Sequence, residues 1–436
     1  MESASERIVI TGLGVISPLG ISLQSFWESL QNRRSGIREL QIVPGGAVDV
    51  RYGAQAWDFT GDIDQFGPLE KPLQRSIKKS QKLMCREIEM GVAACQLALA
   101  DAGLSTANLD PDRSGITYGC DYILTRPEEF ADGIRACTDS EGELHRENWP
   151  TVGREQVNPL WLLKFLPNMP ASHVAIFNDL RGPSNSITVR EASNALCFGE
   201  AASAIRRGAA DVMIVGATGS RIEPLRLLHV RGQEPLASDR SNPAEMSRPF
   251  AADRDGIVLG EGAAGFVLES LSRAQARGAR IYAELIATSS SAVGAAPGRD
   301  HMRIATENIL RGVMEKAGDR LPNDYHIHAA GRGDVKADHA EAAAIGELTG
   351  RDNRVPVVAA KSYFGNLGAG SAAVELVASC LALQHDELFA TLNCNPRDPQ
   401  CDVSVTDQPQ EAGSAAIHLA CSPQGQAAAV AIAKLQ

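Results

Sequence analysis

The stretch Gly182-Pro183-Ser184-Asn185-Ser186-Ile187-Thr188-Val189-Arg190-Glu191-Ala192-Ser193-Asn194-Ala195-Leu196-Cys197-Phe198 constrains the fold more than any other; small residues carry it on to Arg206-Arg207-Gly208. It reads as a short strand, a sharp turn and a buried helix. Elbows of this kind commonly present a nucleophile in α/β enzymes. Here the residue at the bend is Glu191, where such chemistry wants a thiol or hydroxyl. The surroundings decide whether that makes a new active site or a dead one.

The rest of the chain alternates strands and helices. Residues 7–20 begin as a β-branched run and break at glycines, which predicts a buried strand and a tight turn. Gly12 and Gly14 lack the third glycine of G-x-G-x-x-G, so a dinucleotide site is disfavoured. A short helix is expected over 22–33. Residues 34–75, rich in Gly, Pro and Asp, read as a surface excursion. A helix over 80–102 ends at Gly103, a natural C-cap, and a strand follows at 113–122.

Residues 123–157 carry many charges and little periodicity, as an insertion over the core does. Trp161, Leu162, Leu163, Phe165 and Leu166 then form an apolar cluster suited to a pocket wall or a subunit interface. Buried strands are expected at 211–217 and at the end of 247–270. The second half repeats the alternation, with strands at 281–289, 325–330, 355–360, 414–421 and 427–434 and helices at 300–317, 336–349 and 367–385. This order implies an α/β chain with largely parallel or mixed sheets buried by helices. It also suggests an internal duplication, divided as 1–262 and 263–436.

Composition narrows the function. A hydrophobic content of 44% and a charged content of 22% in 436 residues are those of a globular protein with a sizeable core. The net charge of -11 argues against nucleic acid as a partner, although an acidic carrier protein could still dock on a local basic patch. The nine cysteines show no C-x-x-C and an odd count. Neither a disulfide framework nor a metal site is expected, nor any cofactor, and a reducing cytoplasm is the simplest compartment. No run of about 20 apolar residues predicts a membrane span.

Several of these stretches, in this order, resemble the β-ketoacyl-acyl-carrier-protein synthases of the thiolase superfamily. The resemblance rests on residues 7–20, Leu166-Pro167-Asn168-Met169, Arg181-Gly182-Pro183, Ile205-Arg206-Arg207-Gly208 with Asp211-Val212-Met213-Ile214, Arg254-Asp255-Gly256 with Gly260-Glu261-Gly262, and Lys361-Ser362 with Gly365. It implies a thiolase-like, five-layered αβαβα fold with two related halves, a dimer, and acyl condensation on acyl carrier protein. The mechanism it implies uses an elbow cysteine, two histidines and a supporting lysine.

The register of the resemblance puts Glu191 at the nucleophile and makes Cys197 a second, structural cysteine about two turns into the helix. The first histidine, in a His-Gly-Thr motif before Asp-x-x-Glu, becomes Ala330 in Ala329-Ala330-Gly331-Arg332-Gly333-Asp334, with Glu341 retained downstream. His326, His328 and His339 do not match it and read as structural or solvent-facing. The second histidine becomes Asn366, five residues after the retained Lys361 in Lys361-Ser362-Tyr363-Phe364-Gly365-Asn366. The family's Gly-Phe-Gly-Gly gate becomes Ser422-Pro423-Gln424-Gly425, without its phenylalanine.

Acyl transfer to a carboxylate would give a mixed anhydride more reactive than the thioester it came from. Without imidazoles, nothing neutral stabilises the enolate formed on decarboxylation. A buried Glu191 at a helix N-terminus also needs a cation, which Arg332 or Lys361 is expected to supply. Two readings result. One is a non-condensing subunit, similar to a chain-length factor, that pairs with an active ketosynthase-like subunit and engages acyl carrier protein. The other is an enzyme with changed chemistry, using Glu191 as general base beside Asn366 and Lys361.

Overall fold

The computed structural model describes residues 6–40, 50–350 and 355–435. Residues 1–5 and the 41–49 part of the expected surface excursion lie outside the described residues.

Eleven strands form one sheet. They are β1 (Ile8–Ile16), β2 (Ser114–Gly119), β3 (Ser184–Ile187), β4 (Val212–Ser220), β5 (Glu261–Ser270), β6 (Ala283–Ala292), β7 (Tyr325–His328), β8 (Pro356–Val358), β9 (Ser404–Val405), β10 (Ala415–Cys421) and β11 (Gln426–Ala433). Their order across the sheet is β9-β8-β7-β10-β11-β6-β1-β5-β4-β2-β3. From the centre outwards, the first half runs β1-β5-β4-β2-β3 and the second β6-β11-β10-β7-β8. Each half therefore places its strands in the chain order first, fifth, fourth, second, third, and β9 extends the second edge. The sheet is mixed: β1, β5, β6 and β11 pair antiparallel with their neighbours, while β3, β2 and β4, and β9, β8, β7 and β10, run parallel.

The longer helices are α1 (Leu23–Gln31), α2 (Lys71–Ser80), α3 (Arg86–Asp101), α4 (Glu128–Ala136), α5 (Met169–Asn178), α6 (Ser193–Arg206), α7 (Pro224–Arg231), α8 (His301–Ala317), α9 (Val335–Thr349) and α10 (Gly370–His385). α3 covers β1, β4 and β5, with α5 beside it over β2 and β3. α6 and α10 lie between the two half-sheets, and α8 with α9 covers the second half. The layers are thus α, β, α, β, α. The central strands are buried on both faces, which is why β1, β4 and β5 are built mainly of apolar and small residues along their whole length. Among the described residues no helix is long and apolar enough to cross a membrane.

The structure differs from the sequence reading in several places. β1 does not break at its glycines but runs through them. A Cβ on Gly12 would lie 2.3 Å from the Ala98 carbonyl, and one on Gly14 2.1 Å from that of Ala94. The glycines let α3 rest directly on the strand; they do not turn the chain. The helix expected from 80 starts at Arg86, after a 3-10 turn at Gln81–Leu83. The charged insertion contains α4. Residue 262, where the sequence reading divides the chain, lies within β5, and the next strand, β6, begins at Ala283.

Candidate functional site

β3 is short because the chain must bend immediately after it. Val189 leaves the strand, Arg190 takes φ +52°, and a 3-10 turn at Arg190–Ala192 delivers the chain into α6. A non-glycine residue in the left-handed region is strained, and such strain collects at functional bends. The turn is held by Ser193, whose Oγ accepts from the Val189 amide at 2.8 Å. Glu191 is left buried at the N-terminal end of α6, where the helix dipole favours a negative charge.

Its carboxylate is surrounded by donors. Glu191 Oε1 accepts from Arg221 Nη2 at 2.7 Å, Asn366 Nδ2 at 3.0 Å and Arg332 Nη1 at 3.1 Å. Arg190 Nε lies 3.7 Å from Oε2. A second buried carboxylate, Glu234, closes the ring: it accepts from Arg221 Nη1 at 2.8 Å and also from Arg190 and Arg332. Beyond it, Asp121 stands 3.8 Å from Arg221 and 3.5 Å from Arg226. Arg221 is 1% exposed and Glu191 2%, so this is an ionic network inside the protein.

Three guanidiniums thus face two carboxylates. Burial works to raise the Glu191 carboxyl, but Arg221, Arg332 and Arg190 outweigh it and hold the group well below the usual carboxylate range. Glu234 is lowered by the same balance, with burial opposed first by Arg332. A carboxylate so held is a poor base, because removing a proton from substrate means weakening its pairing with the arginines. Glu234 also lines a surface cavity of about 530 Å³, together with Tyr52, Ser238, Asp239 and Val258.

Asn366 belongs to this ring and is fully engaged. Its side-chain oxygen accepts from the Gly368 amide at 2.9 Å while its amide group donates to Glu191. Ala330 lies on the loop that carries Arg332. Glu341 fixes that loop by accepting from the amides of Ala330, at 2.6 Å, and Gly331, at 2.8 Å. Burial pushes the Glu341 carboxyl up to about 7.

Of the two cations expected beside Glu191, Arg332 is present and Lys361 is not. Lys361 is paired with Glu375, which also accepts from His418 Nε2 at 3.0 Å. His326 and His328 are buried; they bond to the Ala412 carbonyl at 2.7 Å and the Ser379 hydroxyl at 2.8 Å. Cys197 is fully buried in α6, and burial pushes its thiol far up. Ser422–Gly425 form the β10–β11 turn, in which Gly425 takes φ +82° and Pro423 has no N–H to offer.

Sequence reasoning missed Arg190, Arg221, Glu234 and the Glu375–His418 pair. One signal existed for Arg221, a charged residue placed directly after the nine-residue buried strand β4. Glu234 had none, since a charge in a loop reads as solvated.

The family model of the β-ketoacyl synthase N-terminal domain matches residues 5–274, and that of the C-terminal domain residues 282–395. The chain is similar to 3-oxoacyl-[acyl-carrier-protein] synthase 2 of Synechocystis sp., at 31% identity over 91% of this chain and 90% of that protein. It is also similar to the tetracenomycin polyketide synthase ketoacyl synthase alpha subunit of Streptomyces glaucescens, at 32% over 92% and 90%. Among solved structures, the ishigamide ketosynthase/chain length factor shares the fold, with a TM-score of 0.81 and 24% identity over 99% of this chain and 100% of that one. Matches across both halves, in the same order as the strands that repeat, leave one conclusion: the chain belongs to the β-ketoacyl synthase family, with the thiolase-like fold.

Proposed function

We propose that the protein is a ketosynthase-like subunit of fatty-acid or polyketide-type biosynthesis that does not condense acyl groups itself. It pairs with an active ketosynthase, in the manner of a chain-length factor. The observation that carries this reading is the ring of Arg190, Arg221 and Arg332 around Glu191 and Glu234. In the register of the family, charges that satisfy one another occupy the position of the nucleophile, while Ala330 and Asn366 stand where imidazoles would be.

Two surfaces support the partners. Among the described residues β3 pairs on one side only, with β2, and so presents a strand edge. Among the described residues, six of the nine exposed large hydrophobic residues fall in the segment leading to it: Ile134, Leu144, Val152, Leu160, Leu162 and Ile176. An apolar segment beside an open edge suits a protein partner. On α2 and just after it, Lys71, Arg75, Lys78, Lys79 and Lys82 are exposed, and no acidic residue interrupts them. On a chain of net charge -11 this local basic face suits an acidic carrier protein.

The general-base reading loses support from the same geometry, because Glu191, Asn366 and Lys361 are each committed to internal partners. Co-expression with a ketosynthase that keeps Cys, His and His, followed by sizing and a product-length assay, tests the proposal. A stable mixed complex with altered product length is expected. No complex and no change in product would count against it, and a lone homodimer that turns over an acyl thioester would favour the general base.

A further inference from the structure

Away from the elbow, α9 and the segment after residue 393 bring together three side chains that sequence spacing does not connect. His339 Nε2 lies 2.7 Å from Asp398 Oδ2, and the donor atoms of His339, Asp398 and Cys401 all fall within 4.8 Å of one another. Zinc bonds of about 2.0–2.3 Å in a tetrahedron place ligand atoms about 3.3–3.8 Å apart. Closing the three onto one ion therefore needs shifts of about 1 Å.

The segment that supplies two of them is braced. The Cys401 amide donates to the Asp398 carbonyl at 2.9 Å, the Gln400 amide to Asp398 Oδ1 at 2.9 Å, and the Asp398 amide to the Phe250 carbonyl at 3.0 Å. Cys401 is 5% exposed, while the His339 side chain is 28% exposed and opens the group to solvent.

The charges favour a cation. Buried Arg254 donates to Asp398 Oδ2 at 2.7 Å and approaches Asp338 at 3.4 Å, so one guanidinium faces two carboxylates. It also points Nη2 at Cys401 Sγ, 3.6 Å away. A dication that binds Asp398 and the Cys401 thiolate, whose proton passes to solvent, brings the group to balance: its two charges meet those two ligands, and Arg254 keeps Asp338.

We propose that His339, Asp398 and Cys401 bind one borderline divalent cation of the zinc class, with a water molecule in the fourth position. Imidazole, carboxylate and thiolate together select such an ion over magnesium or calcium, which take oxygen ligands. The ion ties α9 to the 398–401 segment. Through Arg254 and Asp338, which accepts from the Arg332 amide at 2.8 Å, that tie reaches the loop that carries Arg332.

The full chain, freed of metal with a chelator, is titrated with cobalt(II) and followed by absorption. Saturation at a single equivalent is expected, with a near-ultraviolet thiolate-to-cobalt band that zinc then abolishes. Cys401→Ser and His339→Gln should each lose that band. His339 is partly exposed, so its variant keeps the fold, which a melting curve checks. Zinc should raise the melting temperature of the parent and leave that of His339→Gln unchanged. Absence of the band in the parent, or its persistence in either folded variant, would overturn the proposal.

Discussion

Glu191 is the shared acceptor of Arg221, Arg332 and Asn366, so its loss strands buried donors. Glu191→Ala is expected to cost about 3–5 kcal/mol, the usual penalty for removing one partner of a buried ion pair. It should show as a lower urea midpoint at unchanged slope. Under the proposed function, Glu191→Cys should cost a similar amount and yield no condensation, because the guanidiniums of Arg190, Arg221 and Arg332 remain around it. Two carboxyls give opposite pH signatures. The folded value of Glu191 lies below its unfolded value of about 4.3. Its stabilisation is therefore complete above that pH and fades as pH falls. Buried Glu87 is pushed up to about 8, chiefly by burial, with Arg226 opposing. Its proton is kept on folding, so its contribution is full below about pH 4.3 and fades as pH climbs to about 8. Glu191→Gln should flatten the acid side of a stability–pH curve, and Glu87→Gln the side between about pH 4.3 and 8; a parallel shift of either curve would refute the assignment. The bend and its carboxylate were legible in sequence, because strand, turn and small-residue helix follow one another locally. Arg221 and Glu234 were not, since they reach Glu191 only after the sheet has brought distant segments together. Lys361 misled because its partner, Glu375, sits in a helix otherwise apolar and buried, where no isolated charge is anticipated.

At the scale of elements, glycine inside β1 is a packing device. Gly14→Ala would drive a methyl into the Ala94 carbonyl and force α3 off the strand, an overpacking cost of about 1–3 kcal/mol or more, read by thermal melting. The sequence pattern of α3 gave its period, but which face touched glycine depended on strand register. α2 poses a test of the proposed carrier surface. Lys78→Glu with Lys79→Glu should slow association with an acidic carrier about tenfold at low salt, with little change in stability, because both side chains are exposed. Stopped-flow binding at two ionic strengths measures it. Strand and helix order in the second half was legible almost throughout, since α8, α9 and α10 are long and β10 and β11 are largely apolar and buried. The content of the charged insertion was not, as α4 is only nine residues long and is anchored by Phe130 against Trp149 and Trp161.

For the whole molecule, the repeated strand order makes two halves, yet the layers do not respect them. α6, from the first half, packs on β6 and β11 of the second, and α10, from the second, packs on β1, β4 and β5 of the first. Heating should give one calorimetric transition; two resolved peaks would show that the halves melt separately. The duplication was visible in sequence as a rhythm of elements, but the exchange of central helices was not, because a helix buried all round carries no mark of which sheet it will cover. That exchange reaches beyond stability. Cut between Ser270 and Ala283, the chain would part into two pieces, each keeping one central helix and losing the other that packs on its inner sheet face. Neither piece should stay in solution alone, and mixing them during refolding should restore both. The seam in the strand order is thus no place at which either half can stand without the other.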